Sequence, residues 1–368
     1  MNNRSKVRSW LALMLVLIIA SLPAIADEQD DLDEWLAVGE YFQMLDEEGN
    51  IILETGRVLA EGDEYLTSEN ELYRIVEVDN EQRIARAELV EKVELRVVPY
   101  AELLQSAGLI LAGNIETDPR GLIGVYHTHN AESYVPTDGT DSIYGEGGIH
   151  KVGSAFADSL RQRGVEVNHS ENLHLPHDRG AYRRSRETAL ELLAKNPDAI
   201  FDIHRDAAPR DAYALQVKDE WVTSVQFVVG RQNQNLGVNR EFAQSMKALA
   251  DQMYPGLVKG IFFGRGNYNQ DLSPLAMLVE AGAHTNSREA AERGIRLFAE
   301  VVDLYFYGTA EASSADEGKT EGSKAASRST LGLLAFVLGG AGVFYVINAG
   351  GFQSAVERIK NLFRSRLR

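Results

Sequence analysis

From residue 121 to residue 306 the chain alternates short apolar runs with amphipathic stretches of helical period. That alternation limits the fold more than any other feature. Strands are predicted at 121–126, 165–168, 199–203, 257–263 and 275–279. Helices are predicted at 151–163, with Val152, Phe156 and Leu160 on one face, and at 182–195, with Ala189, Leu192 and Leu193 inward. A third, 238–253, is stopped by Pro255-Gly256, and a fourth, 288–306, takes Asn286 as N-cap with Glu289 in the capping-box position. Runs at 212–217 and 222–229 read as a hairpin insertion. Strand–helix–strand order of this kind predicts an α/β fold, one open and mostly parallel sheet with helices on both faces.

Open α/β sheets bind ligands beyond the carboxyl ends of their strands. The first strand here runs into His127-Thr128-His129-Asn130-Ala131-Glu132, the third into Asp202-Ile203-His204-Arg205-Asp206, and the last ends on Glu280. Three of eight histidines and two carboxylates therefore project from one edge. Imidazole and carboxylate are good zinc ligands, and three protein ligands leave an open, catalytic position. A separate carboxylate is then needed to move a proton, and Glu280 at the end of a buried strand suits that role. Only one of His127 and His129 is expected to bind the metal, with the other standing behind it. His150 competes with Glu132 for the third position. His169, His174 and His177 read as polar surface, with lining a groove as the alternative, and His284 reads as a loop residue. A serine hydrolase is disfavoured, because no G-x-S-x-G elbow is present and nothing activates Ser133.

The 368 residues contain no cysteine, which removes disulfides, thiolate zinc, iron–sulfur clusters and a cysteine nucleophile. Net charge is −17, which argues against nucleic acid as a partner. The charge is uneven: residues 27–325 hold 28 basic and 53 acidic residues, hence −25, while residues 351–368 are +4. Arg4, Lys6 and Arg8 precede an apolar run closed by Ala24-Ile25-Ala26, the pattern of a secretory signal peptide at 1–26 or of an N-terminal anchor. Residues 331–350 are apolar and long enough for one membrane span. A low-complexity linker at 308–330 precedes it and a basic tail at 351–368 follows, expected in the cytoplasm. The intervening chain is therefore expected outside the membrane, as a small acidic β-rich domain at 27–110 and a catalytic domain at 111–307. The first of these shows alternating strands around 64–67 and 72–78, turn signals at Gly49-Asn50 and Asp79-Asn80, and no constellation that suggests chemistry.

The stretches Tyr126-His127-Thr128-His129-Asn130-Ala131-Glu132-Ser133-Tyr134, Tyr182-Arg183-Arg184-Ser185-Arg186-Glu187-Thr188, Asp202-Ile203-His204-Arg205-Asp206, Tyr268-Asn269-Gln270-Asp271-Leu272-Ser273-Pro274 and Leu278-Val279-Glu280-Ala281-Gly282 resemble the stage II sporulation protein P family, in order over about 110–306. That family is similar to zinc-dependent N-acetylmuramoyl-L-alanine amidases. The resemblance implies a membrane-held peptidoglycan hydrolase acting on the extracytoplasmic side in sporulation, with sporulation proteins as partners. It would cut the muramic acid–stem peptide amide, and also peptide crosslinks in some members. It implies a zinc ion on His129, Glu132 and His204, with His127 the competitor for the first position, and Glu280 as general base. Arg205 is expected to hold substrate or the oxyanion, and Asp206 to orient a neighbour or bind substrate together with Tyr268, Asn269 and Gln270. The chain departs from the family in its tether, since the resemblance implies an N-terminal anchor followed by a long linker. A wall-binding scaffold that has lost activity is the alternative function.

Overall fold

The computed structural model describes residues 39–108, 121–178 and 180–308, together with Leu36. The expected signal segment at 1–26, span at 331–350 and tail at 351–368 lie outside these residues, as does the linker beyond 308. Among the described residues no helix is long and apolar enough to cross a membrane.

The N-terminal part is five strands: β1 (Phe42–Leu45), β2 (Ile51–Thr55), β3 (Glu64–Thr67), β4 (Glu71–Asp79) and β5 (Ile84–Lys92). Helix α1 (Tyr100–Ser106) follows, then β6 (Leu122–Tyr126), α2 (Val135–Asp138), α3 (Ile149–Gln162), β7 (Glu166–His169), α4 (Ala181–Leu193) and β8 (Ala199–Asp206). The rest is β9 (Ala214–Val217), β10 (Glu220–Thr223), β11 (Val225–Gly230), α5 (Leu236–Met253), β12 (Val258–Gly264), β13 (Ala276–Ala283) and α6 (Arg288–Tyr307).

Eleven of the strands make one sheet, in the order β2-β1-β5-β4-β3-β12-β11-β13-β8-β6-β7. From β6 onward the strands lie as β12-β11-β13-β8-β6-β7 and four of their five pairings are parallel, as expected, while over the whole sheet five of ten are, because the N-terminal strands join it. The parallel block expected from strand–helix alternation is present as β13-β8-β6-β7. Two things make the whole mixed. β11 arrives from a hairpin and runs antiparallel to β13, and the N-terminal strands pair antiparallel with one another except for β1 with β5. Those N-terminal strands do not close a sheet of their own. β3 pairs antiparallel with β12, Ile261 opposite Leu66, so an edge that would otherwise expose unpaired amides is covered. The run 222–229 is split at Ser224, its first half pairing with β9 and its second entering the main sheet. The cap of α6 is Ser287, whose side chain accepts from the Ala290 amide. Asn286 instead accepts from the Ala283 amide and donates to the Arg210 carbonyl.

Phe156, Phe201, Phe227, Phe242 and Phe298 are fully buried in one cluster, with Phe156 and Phe201 centroids 5.4 Å apart. Each such side chain contributes roughly 1.5–3 kcal/mol of burial. On the second face, Tyr126, Ala189, Leu192 and Ile200 join α4 to the parallel block, while Val228, Phe262 and Leu278 pack on Phe42, Met44, Tyr65 and Ile75. Strand β13 is buried along its whole length, as a run apolar on both faces requires. Its pairing with β8 shifts between Glu280 and Ala283, where Gly282 takes φ 75°. A Cβ on Gly282 would also come within 2.8 Å of the Thr223 side chain. A bulge of this kind re-aims the strand just beyond Glu280.

Candidate functional site

Strand β8 reads Ala-Ile-Phe-Asp-Ile-His-Arg-Asp, and its pleat puts Asp202, His204 and Asp206 on one face and Phe201 and Ile203 on the other. The apolar pair joins the phenylalanine core. The polar three build the site. Beyond β6 the chain turns back on itself, the Glu132 amide donating to the His129 carbonyl at 3.3 Å, and this brings Glu132 opposite His204. Glu132 Oε1 stands 3.4 Å from His129 Nδ1 and 3.4 Å from His204 Nδ1. Its Oε2 accepts from the Arg205 amide at 3.0 Å. The two imidazole rings meet edge to face at 4.8 Å.

All three side chains are buried, and their donor atoms lie within 4.8 Å of one another. Two imidazole nitrogens and one carboxylate make a borderline-soft, three-ligand set with room for a fourth partner, which fits zinc. The protonation states agree in part. Burial lowers His129 to about 4, so it is neutral, as a ligand must be. Burial works against the Glu132 charge, but His204, His129 and Arg205 hold its carboxyl well below the usual range. Burial also opposes charge on His204, yet Asp202 and Glu132 outweigh it and raise the ring to about 10, so a metal must displace its Nδ1 proton. His204 Nε2 lies 3.0 Å from Asp202 Oδ1. Asp202 is fixed in turn by the Thr128 amide at 2.8 Å and hydroxyl at 2.6 Å.

His127 does not join this set. Its Nδ1 lies 2.9 Å from the Ile203 carbonyl and so carries a proton, leaving Nε2 to accept from His169 Nε2 at 2.9 Å. His150 packs edge to face on His127, away from the donor set. His169 and His174 are not polar surface either: His174 donates from Nδ1 to the His127 carbonyl and is bonded to Thr188 through Nε2. His177 and His284 line the cleft described next.

The donor set opens into a cleft of about 300 Å³, whose walls include Leu36, Val58, Tyr182, Arg205 and Glu280. Glu280, opposite His204 in the β13–β8 register, is 2% exposed. Burial raises its carboxyl above the usual range, and the charge of Arg57 works against that rise. Arg57 Nη2 lies 2.5 Å from Glu280 Oε1. Sequence reasoning missed Arg57, since nothing near it suggests chemistry. It also passed over Tyr182, whose ring lies nearly parallel to His204 at 6.1 Å, and Asp202, although its i, i+2 spacing from His204 on a strand was a usable signal.

The remaining expected residues are placed differently. Arg205 lines the cleft, but its guanidinium donates to the Ser133 and Asp141 carbonyls at 3.3 and 2.9 Å and so holds the loop that carries Glu132. Asp206 orients a neighbour, accepting from Thr55, Gly56, Ala207 and Tyr213. Tyr268, Asn269 and Gln270 are the expected substrate contacts. All three are buried away from the cleft walls, because each side chain serves the loop's own backbone and its neighbours. Tyr268 donates to the Arg265 carbonyl, Asn269 to the Tyr182 carbonyl, and Gln270 bridges the Gly230 amide and the Val228 carbonyl. Ser133 is buried and bonded to the Ala131 carbonyl and the Gly148 amide, and among the described residues no base bonds its hydroxyl.

Comparison with known proteins gives one family and several related structures. The family described as Stage II sporulation protein P (SpoIIP) matches residues 42–303. A Stage II sporulation protein P of Bacillus subtilis (strain 168) is 31% identical over 224 residues, covering 56% of this chain and 56% of that protein. The chain thus spans about half the length of the curated relative it matches. Among solved structures, the N-acetylmuramyl-L-alanine amidase Ami1 from Mycobacterium smegmatis is 15% identical, over 51% of this chain and 98% of that one, at a TM-score of 0.35. The amidase AmiC2 of Nostoc punctiforme is 18% identical, over 50% and 97%, at 0.33. The CwlD amidase from Clostridioides difficile, solved in complex with the GerS lipoprotein, is 13% identical, over 51% and 95%, at 0.34.

Proposed function

The chain belongs to the stage II sporulation protein P family, and from that premise we propose that it is a zinc-dependent peptidoglycan hydrolase of sporulation. The bond cut is the amide between muramic acid and the stem peptide. The observation that carries this reading is one cleft holding both a His129–Glu132–His204 donor set and, across from it, a separate buried carboxylate, Glu280. A site that only bound glycan would need neither.

His129, Glu132 and His204 would hold the zinc. When bound, zinc supplies a Lewis acid that polarises the scissile carbonyl and acidifies water. The chain's own residues do the rest. Asp202 keeps the His204 ring turned so that Nδ1 faces the site. Glu280 takes the proton from the attacking water and gives it to the departing amine. Its raised pKa suits both halves of that transfer, since a carboxyl nearer neutrality is a better acid for the second step. Arg205 fixes the Glu132 loop and borders the cleft, and its charge would act on the oxyanion from there. Leu36, Val58 and Tyr182 supply apolar wall that limits water around the reacting groups.

We place the protein at the membrane, with this site on the extracytoplasmic side and tethered by residues 331–350. Sporulation proteins are its proposed partners. A zymogram of the full chain on purified walls tests the function. Clearing that a chelator abolishes and added zinc restores is expected, and clearing that survives chelation would overturn the metal assignment.

A further inference from the structure

Glu280 is paired with a residue 223 positions earlier in the chain. Arg57 follows β2 at the outer edge of the sheet, in the region that showed no chemistry of its own. Its place is set by backbone. The Gly56 amide and the Thr55 hydroxyl donate to Asp206 Oδ1 at 2.8 and 3.1 Å, so the turn is tied to the end of the strand that carries His204. Gly56 sits so close to Ala207 that a Cβ would come within 2.3 Å of the Ala207 methyl. The Asp206 carboxylate also accepts from the Ala207 amide and the Tyr213 hydroxyl, so it is rigid itself. The Arg57 guanidinium then lies 5.2 Å over the Tyr268 ring and bonds one Glu280 oxygen. The other Glu280 oxygen has no hydrogen-bond partner among the described residues and belongs to a side chain that lines the cleft.

We propose that Arg57 is a positioning residue for Glu280, delivered by the N-terminal strands and clamped by Asp206, so that one carboxylate oxygen is anchored and the other is left to handle the proton. The proposal rests on the hydrolase reading above. It also gives residues 42–92 a place in the reaction. They complete the base, and they add wall to the cleft through Gly56, Arg57 and Val58.

The test is steady-state release of stem peptides from purified walls by the zinc-loaded full chain and by Arg57→Ala, Arg57→Lys, Asp206→Asn and the Arg57→Ala/Asp206→Asn double variant. Thermal midpoint and bound zinc are measured in parallel. Arg57→Ala should lower kcat by about 10- to 100-fold with KM within about twofold, the scale of a misplaced proton-transfer group. It should also move the acid limb of the kcat–pH profile. Arg57→Lys should recover most of the loss. The double variant should be no slower than the worse single one, since both changes act by the same route. If Arg57→Ala does not fold, Arg57→Gln takes its place in the cycle. Wild-type kcat and pH profile in a folded Arg57 variant would overturn the proposal and leave the hydrolase reading standing. Release by neither wild type nor variants would overturn both.

Discussion

Asp202 Oδ1 stands 3.0 Å from His204 Nε2 while Glu132 Oε1 stands 3.4 Å from the other nitrogen of the same ring. The imidazole is thus held between two carboxylates, one that would share a metal with it and one that only supports it. Supporting carboxylates of this kind typically carry a 10- to 100-fold effect on metal affinity, to order of magnitude. Asp202→Asn should weaken zinc by about that factor. Competition against a chromogenic chelator measures it, and an unchanged affinity would remove Asp202 from the site.

His174, buried, and His169, half-buried, make the metal-free fold acid-sensitive. Burial lowers His169 from 6.5 to about 4, and it lowers His174 too. Their folded pKa values lie below the unfolded ones. The stability that His169 contributes is therefore present above pH 6.5 and is lost as pH falls from 6.5 toward 4, and His174 acts in the same direction. Each such group contributes at most about 1.4 kcal/mol per pH unit in that window. His169→Gln keeps a donor at the Nε2 position and does not titrate. Its thermal midpoint should fall less steeply between pH 6.5 and pH 4 than the wild type's. Parallel curves would show that His169 does not titrate as described.

Gly147 lies against the backbone of the Glu132 turn. A Cβ there would come 2.3 Å from the Asn130 carbonyl oxygen and 2.5 Å from that of Glu132. Neither atom belongs to a flexible side chain, so the turn itself must shift. Gly147→Ala should cost roughly 1–3 kcal/mol, the scale of overpacking a tight contact, and should weaken zinc with it. Chemical denaturation and zinc titration of the same preparation check both, and a variant matching the wild type in each would show that the turn tolerates the methyl.

Gln270 bridges two backbone groups of β11 and its loop and does not face the cleft. Gln270→Ala should lower stability by about 1–3 kcal/mol for each backbone partner left unpaired in the interior. KM should not change. A raised KM at full stability would return the loop to the substrate.

The parallel core of the fold was legible because its elements carry local signals. The apolar run of β13 and the helical period of α3 each fix an element without knowledge of the rest. The pairing of β3 with β12 was not legible, because the two strands lie nearly 200 residues apart and register across such a distance leaves no mark on either. The same reason hid Arg57, whose partner is chosen by that pairing and by Asp206. The gathering of His127, His129, Glu132, His204 and Glu280 was legible because strand ends converge in open sheets, while the ligand set itself came from the family resemblance. The packing of Tyr268, Asn269 and Gln270 was not legible, because their polar side chains satisfy backbone in a loop where Tyr268 and Asn269 both take positive φ. His169 and His174 were misread as surface because their partners, His127 and Thr188, come from other elements.

The central claim is that Glu280 moves the proton while the donor set holds the metal. Mass analysis of the material released from purified walls by the zinc-loaded full chain and by Glu280→Gln tests it most directly. Wild type should release stem peptides with a free L-alanine amine and leave peptide-free glycan. Glu280→Gln, with equal bound zinc and an equal thermal midpoint, should release neither at more than about a hundredth of the rate. The same products at the wild-type rate from Glu280→Gln, or wild-type products cut only within the glycan, would contradict it.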